Sequence, residues 1–278
     1  MKKSAARQTV VSMRPLPVQH HRTLFVSDTH LGTRGAKADL LADFLAHNEC
    51  ETLYLVGDIV DGWQLKRNWF WDAAQTRVVD LLLRKIEAGT KVIYVPGNHD
   101  EMFRPYCGLA PGGIDIRFED VHETADGRRM LVVHGDSFDG IVTYAKWLAK
   151  FGAQAYEAAL ALNTVFNRMG RRFGFSYWSL SGYLKHKVKN AGAFIAKFER
   201  AVADEARMRG FDGVVCGHIH HAEMKMVEGV LYCNDGDWVE SCTALTEDHS
   251  GRLSILRWTE PAAATAGEHL GAAVPAVA

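Results

Sequence analysis

Short apolar runs that end in small or charged residues alternate, over most of the chain, with stretches of helical spacing. Thr23–Ser27 is a β-type run, and Ala38–His47 repeats its apolar residues at the three- and four-residue interval of a helix face. Thr52–Val56 is the next strand; Ala73–Ala88 predicts a helix stopped at Gly89. Lys91–Val95 then leads into Pro96-Gly97-Asn98-His99. Strand–helix–strand alternation predicts right-handed parallel units. From Ile114 the pattern changes to short strands, Asp115–Phe118, His122–Thr124 and Met130–His134. After a long interruption come Gly213–Cys216, Glu223–Val227, Val230–Asn234, Ser241–Thr246 and Leu253–Trp258. Their spacing predicts hairpins, with Glu228-Gly229 and Ser250-Gly251 as turn residues. The whole reads as an α/β fold of two packed mixed sheets flanked by helices.

The interruption from Gly140 to Gly210 has a different character. Ile141–Met169 and Leu180–Met208 are two long helical stretches with few breakers, which predicts a helical hairpin or cap. Residues 141–200 carry ten basic against two acidic side chains, a net +8 in a chain whose total is −1. Aromatics such as Phe173, Phe175, Tyr177, Trp178 and Tyr183 crowd the same stretch. A basic, aromatic-rich helical segment can lie on an anionic membrane surface, or grip a pyrophosphate and its acyl chains. A solvated basic face over an ordinary helical core, and contact with nucleic acid, are the alternatives. Arg171, Arg172, Lys185 and Lys189 are the candidate phosphate contacts. The organisation read from this is a flexible arm at 1–20, a catalytic body at 21–140 plus 211–258, the helical insertion at 141–210 and a disordered Ala- and Gly-rich tail at 259–278.

Composition narrows the class only slightly. With 278 residues, 47% hydrophobic content and near-balanced charge, the chain can fill a sizeable core, and nothing demands a nucleic-acid partner. Five scattered cysteines fit a reducing compartment better than a disulfide framework. Cys216 reads as a small buried hydrophobe or as a neighbour of the ligands. No run reaches the roughly 20 apolar residues of a membrane span. The N-terminal charges precede no apolar core of a leader, so the expected address is cytoplasmic.

The chemistry sits in five fragments: Asp28-Thr29-His30, Gly57-Asp58-Ile59-Val60-Asp61, Gly97-Asn98-His99-Asp100, Val133-His134-Gly135-Asp136 and Gly217-His218-Ile219-His220. Most follow apolar runs, as expected when loops at strand C-termini build a site. Oxygen and imidazole ligands without thiolate suit Mn²⁺, Fe or Zn²⁺. Two such ions roughly 3.5–4 Å apart can activate a water and clamp both oxygens of an in-line displacement.

In this order the fragments resemble the calcineurin-like metallophosphoesterase superfamily, over about residues 23 to 257. The resemblance implies an αββα sandwich and a hydrolase with two divalent metals, Mn²⁺ first, Fe or Zn²⁺ otherwise. Carried over motif by motif, one metal takes Asp28, His30 and His220, the other Asn98, His134 and His218, and Asp58 bridges them. Asp61, Asp100 and Asp136 then orient ligand imidazoles or nearby backbone. His99, with Asn98, is the candidate for phosphate contact or leaving-group protonation. Phe25–Leu31, Gly57–Trp63 and Gly236-Asp237-Trp238 further resemble the UDP-2,3-diacylglucosamine diphosphatases, which release UMP and a lipid 1-phosphate in lipid A synthesis. That family usually has Arg where this chain has His99, which keeps the general superfamily pattern. Trp63, with Trp69 and Trp71, is a candidate wall of the substrate pocket, packing residues being the alternative. The partner implied is a nucleotide-sugar lipid, met by a peripheral membrane protein on the cytoplasmic face through residues 141–210. A phosphodiesterase or phosphatase for soluble esters, and a non-enzymatic membrane-surface binder, are the competing readings.

Overall fold

The computed structural model describes residues 18–140, 191–259 and 268–270. In chain order the first elements are β1 (Gln19–Val26), α1 (Ala38–His47), β2 (Asn48–Leu55), α2 (Gly62–Arg67), α3 (Ala73–Glu87), β3 (Lys91–Tyr94), β4 (Ile114–Ile116), β5 (Asp120–Glu123) and β6 (Arg129–Val132). After them come α4 (Ala191–Met208), β7 (Gly213–Cys216), β8 (Glu223–Val227), β9 (Val230–Asn234), β10 (Thr243–Glu247), β11 (Leu253–Arg257) and β12 (Glu268–Leu270). One sheet runs β12-β11-β10-β1-β2-β3-β4, with β1 to β4 parallel and β10 to β12 antiparallel. The other runs β5-β6-β7-β9-β8, with β6, β7 and β9 parallel.

Strict alternation along the strands sorts side chains into three layers. Phe25, Tyr54, Ile93 and Val95 from the first sheet meet Met130, Val132, Val215 and Cys233 from the second. The intervening Leu24, Val26, Leu53, Leu55, Val92 and Tyr94 face outward, with Leu41 and Leu45 of α1 and Val78 and Leu82 of α3 in the same cluster. On the far side Leu131, Val214 and Tyr232 pack with Phe198, Val202 and Ala206 of α4. The result is the αββα sandwich.

Several boundaries differ from the sequence reading for identifiable reasons. β1 begins at Gln19 rather than Thr23, so the last two residues of the expected arm are strand. Its polar start is held by pairing with β2 from Gln19↔Asn48 onward and by a 2.9 Å hydrogen bond between His21 and Asn48. α2 was absent from the hydrophobic pattern; its start is fixed by Asp61, which accepts from the Gln64 N–H at 2.7 Å. Glu268–Leu270, in the Ala- and Gly-rich tail, pair with β11, whose outer backbone groups would otherwise form a bare edge. Glu228 and Gly229 both take positive φ between β8 and β9, the backbone of a two-residue hairpin turn. The arm at 1–17, most of the insertion (141–190) and Arg171, Arg172, Lys185 and Lys189 lie outside the described residues. No described helix is long and apolar enough to cross a membrane.

A buried polar knot joins the two sheets near the N-terminal end of β1. Glu247, fully buried, accepts from Arg22 (2.7 Å), His122 (2.7 Å) and the Ala125 N–H (2.8 Å). Burial alone would raise its carboxyl, but the hydrogen bonds from His122, Thr23 and Ala125 outweigh it and hold the value below the ordinary one. Glu247 therefore contributes stability above its unfolded value of about 4.3, and that stability is lost as pH falls through the lower folded value. Urea unfolding at about pH 6 and about pH 3 should show Glu247→Gln losing less stability on acidification than the native chain. An equal loss in both would remove Glu247 from the acid response.

Candidate metal centre

The two parallel sets of strands deliver their C-terminal ends to one place, where the loop chemistry of such sheets concentrates. Asp28 and His30 follow β1, Asp58 follows β2, and Asn98 and His99 follow β3. His134 follows β6; His218 and His220 follow β7. Three overlapping groups have ligand atoms that all lie within 4.8 Å of one another: Asp28-His30-His220, His30-Asp58-His99 and Asp58-His134-His218. Of the seven residues predicted to ligate, six fall in these groups. The seventh, Asn98, precedes His99 in the loop after β3, its Oδ1 buried and without a hydrogen-bond partner among the described residues.

The distances describe a site ready to take cations. His220 Nε2 is 3.1 Å from Asp28 Oδ1, and His30 Nε2 is 3.4 Å from His220 Nε2. His134 Nε2 is 3.4 Å from Asp58 Oδ2. Its other ring nitrogen lies 2.9 Å from the Val56 carbonyl, so Nδ1 carries the proton and Nε2 is left as the free ligand atom. Asp28 Oδ2 accepts from the His218 N–H (2.9 Å), while Oδ1 has no hydrogen-bond partner among the described residues. His134 Nε2 is likewise buried and unpartnered. Buried polar atoms are normally satisfied; Asp28 Oδ1, Asn98 Oδ1 and His134 Nε2, buried without hydrogen-bond partners among the described residues, are oxygen and imidazole donors that fit divalent cations of the Mn²⁺, Fe or Zn²⁺ kind.

Charge and backbone tell the same story. Burial alone would raise Asp28, but the His220 imidazole outweighs it and holds the carboxyl at about 2. Asp58 is depressed further, chiefly by His134. Full burial would lower His134, yet Asp58 and Asp28 raise it well above its ordinary value. Buried carboxylates and imidazoles thus favour each other's charged forms here, and a cation bound at His134 Nε2 would displace the proton that those carboxylates favour. Asp28, His30, Asp58, His218 and His220 all have φ between 46° and 70°. A left-handed non-glycine residue costs about 1–3 kcal/mol and persists where a functional constraint holds it. Glycine clears the remaining space: a Cβ on Gly97 would fall 2.3 Å from Asp58 Oδ1 and 2.6 Å from His134 Nε2.

The surrounding groups divide the predicted orienting work unevenly. Asp61 accepts from His99 (3.0 Å) and lies 3.4 Å from His30, so it holds two imidazoles. Asp100 gathers backbone, accepting from the Gly97 N–H (2.6 Å), the Ile59 N–H (2.7 Å) and the Tyr94 hydroxyl. Asp136 instead pairs with Arg104 (2.6 Å). It opens a 3₁₀ turn whose later residue, Asp139, meets His218 Nε2 at 2.8 Å. Trp63 is half exposed with its ring 4.3 Å from His99, at the edge of the site. Trp69 is 74% exposed, whereas Trp71 packs on the outer core. Cys216 is buried, and burial raises its thiol far above the reactive range. The sequence assigns no site role to Asp139, Ser27 or Asp235: Ser27 closes the first β-type run just ahead of Asp28, and Asp139 and Asp235 sit at no ligand spacing.

Residues 21–222 match the family model described as calcineurin-like phosphoesterase. A protein of Chromohalobacter salexigens named UDP-2,3-diacylglucosamine hydrolase is 28% identical over 204 residues, 71% of this chain and 79% of that protein. One of the same name from Blochmanniella pennsylvanica is 24% identical over 116 residues, 41% of this chain and 46% of that protein. Among solved structures, a single-site mutant of Vps29 from Entamoeba histolytica superposes with a TM-score of 0.45 at 15% identity, over 89% of this chain and 97% of that one.

Proposed function

This chain belongs to the calcineurin-like phosphoesterase family, and from that premise we propose that it is a two-metal hydrolase of UDP-2,3-diacylglucosamine or a close nucleotide-sugar lipid. The products are UMP and 2,3-diacylglucosamine 1-phosphate. Asp28, His30 and His220 would hold one cation, Asn98, His134 and His218 would hold the second, and Asp58 would serve both; Mn²⁺ is the first choice. The observation that carries this reading is the run of three overlapping ligand groups, Asp28-His30-His220, His30-Asp58-His99 and Asp58-His134-His218, each with its ligand atoms within 4.8 Å of one another. When bound, two such cations supply a nucleophile near neutral pH and charge stabilisation for the transferring phosphoryl group.

The chain's own groups do the remaining work. With Nδ1 fixed on Asp61, His99 has Nε2 left to contact a phosphoryl oxygen or protonate the leaving oxygen. Asn98 adds a neutral amide beside it. Trp63 offers a flat wall next to His99 for a base or an acyl chain. The net +8 of residues 141–200, with Arg171, Arg172, Lys185 and Lys189, suits a pyrophosphate at an anionic cytoplasmic membrane surface. Two curated relatives named for the same lipid substrate support the choice.

The deciding assay is Mn²⁺-supplemented release of UMP from UDP-2,3-diacylglucosamine, with bis-p-nitrophenyl phosphate in parallel. Rapid UMP release is the expected result. Cleavage of the generic diester alone would reject the lipid substrate and favour a soluble phosphoester, the reading that His99, in place of the diphosphatases' usual Arg, supports.

A further inference from the structure

Asp235 is fully buried, lies between β9 and the Gly236-Asp237-Trp238 loop, and has Oδ2 without a hydrogen-bond partner. No salt bridge to it is formed among the described residues. Its other oxygen is 2.6 Å from Ser27 Oγ, and Ser27 Oγ is in turn 2.6 Å from Asp28 Oδ2. A serine hydroxyl has one proton to donate, yet it stands at hydrogen-bond distance from two carboxyl groups. Both contacts are satisfied if Asp235 is a neutral acid that donates to Ser27 while Ser27 donates to Asp28. Burial without a cation favours that neutral form.

We infer that Asp235 is a positioning residue, acting through Ser27 to fix the Asp28 carboxylate as a metal ligand. The two oxygens of Asp28 are then divided. Oδ2 is saturated by Ser27 Oγ and the His218 N–H, both from the protein. Oδ1 accepts no hydrogen bond among the described residues and faces the His220 imidazole 3.1 Å away. The pocket around this chain of contacts admits no extra atom: a Cβ on Gly217 would fall 2.4 Å from both Asp28 Oδ2 and Ser27 Oγ. Oriented ligands bind metal more tightly, and removing the group that orients one typically costs about 10–100-fold in affinity.

This inference rests on the proposed metal centre, so the test separates the two. Full-length protein, stripped with EDTA, is titrated with Mn²⁺ by calorimetry and by electron paramagnetic resonance, and the metal-free forms are melted alongside. Asp235→Leu keeps the branched four-heavy-atom outline, with bulkier methyl groups in place of the oxygens, and removes the donor; it should weaken Mn²⁺ binding about 10–100-fold, while the metal-free melting temperature reports any loss from overpacking. Asp235→Asn retains a neutral N–H donor toward Ser27 and should stay within about threefold of the native affinity. Ser27→Ala breaks the same chain of contacts and should match the Leu variant. Native Mn²⁺ affinity in Asp235→Leu, or a loss in Asp235→Asn equal to that in Leu, overturns the relay. Should Asp235→Leu not fold, native affinity in Ser27→Ala overturns it alone. Absence of Mn²⁺ binding in the native protein would overturn the metal centre itself.

Discussion

Asp58→Ala should lower turnover of bis-p-nitrophenyl phosphate by more than about 100-fold, the upper end of what the loss of a mere orienting partner costs. The reason is its place in the site. Asp58 belongs to two of the three ligand groups, with Oδ2 facing His134 and Oδ1 accepting the His99 N–H at 2.8 Å. Removing it takes a ligand from both proposed cations and an anchor from the loop that carries His99. Because Asp58 has φ of 52°, Ala adds backbone strain of its own. Asp58→Asn tolerates that conformation better and removes only the charge, so it separates loss of the carboxylate from damage to the loop. Turnover is measured together with metal content. Native turnover at normal metal content in either variant would refute the assignment of Asp58 as the shared ligand.

The second large effect concerns stability. Phe25 is fully buried in the middle layer, stacked on Tyr54 with ring centroids 4.9 Å apart and edge-on to His122 at 5.4 Å. It fills the seam between the sheets, where neither can collapse to close a void without moving the other. Phe25→Ala should cost about 3–5 kcal/mol, which for a body of this size is a fall in melting temperature on the order of 10 °C. Scanning calorimetry of the metal-free protein gives the number. A loss below about 1 kcal/mol would mean the sheets repack freely and the middle layer is not a rigid spacer.

How far these features can be read from the chain depends on what kind of signal each leaves. α1 and β7 to β9 have the bounds the pattern predicts, because each apolar run there is framed by turn residues or by a helix end. β1 was read four residues short because His20, His21 and Arg22 carry no apolar signal; their places are secured by partners far along the chain, such as Asn48 and Glu247. Six-residue α2 is too short for periodicity and depends on a cap. The candidate ligands stand out in the sequence because they fall in compact motifs with glycine or another ligand-type residue close by. Asp235 and Asp139 do not, since their roles arise only when loops about 80 to 200 residues away fold against them.

The site is divided between the two layers of strands. Asp28, His30, Asp58 and Asn98 come from one sheet; His134, His218 and His220 come from the other. On the proposed ligand assignment neither sheet alone supplies a full set of donors, so high-affinity cation capture would wait until the sheets have docked. A ligand that binds only the docked state stabilises it by mass action, and contacts made after the rate-limiting barrier slow unfolding rather than hasten folding. The cations would therefore act as a kinetic latch: the same ions that equip the loops for hydrolysis would lengthen the lifetime of the closed sandwich, and a chelator would shorten it while leaving the speed of assembly untouched.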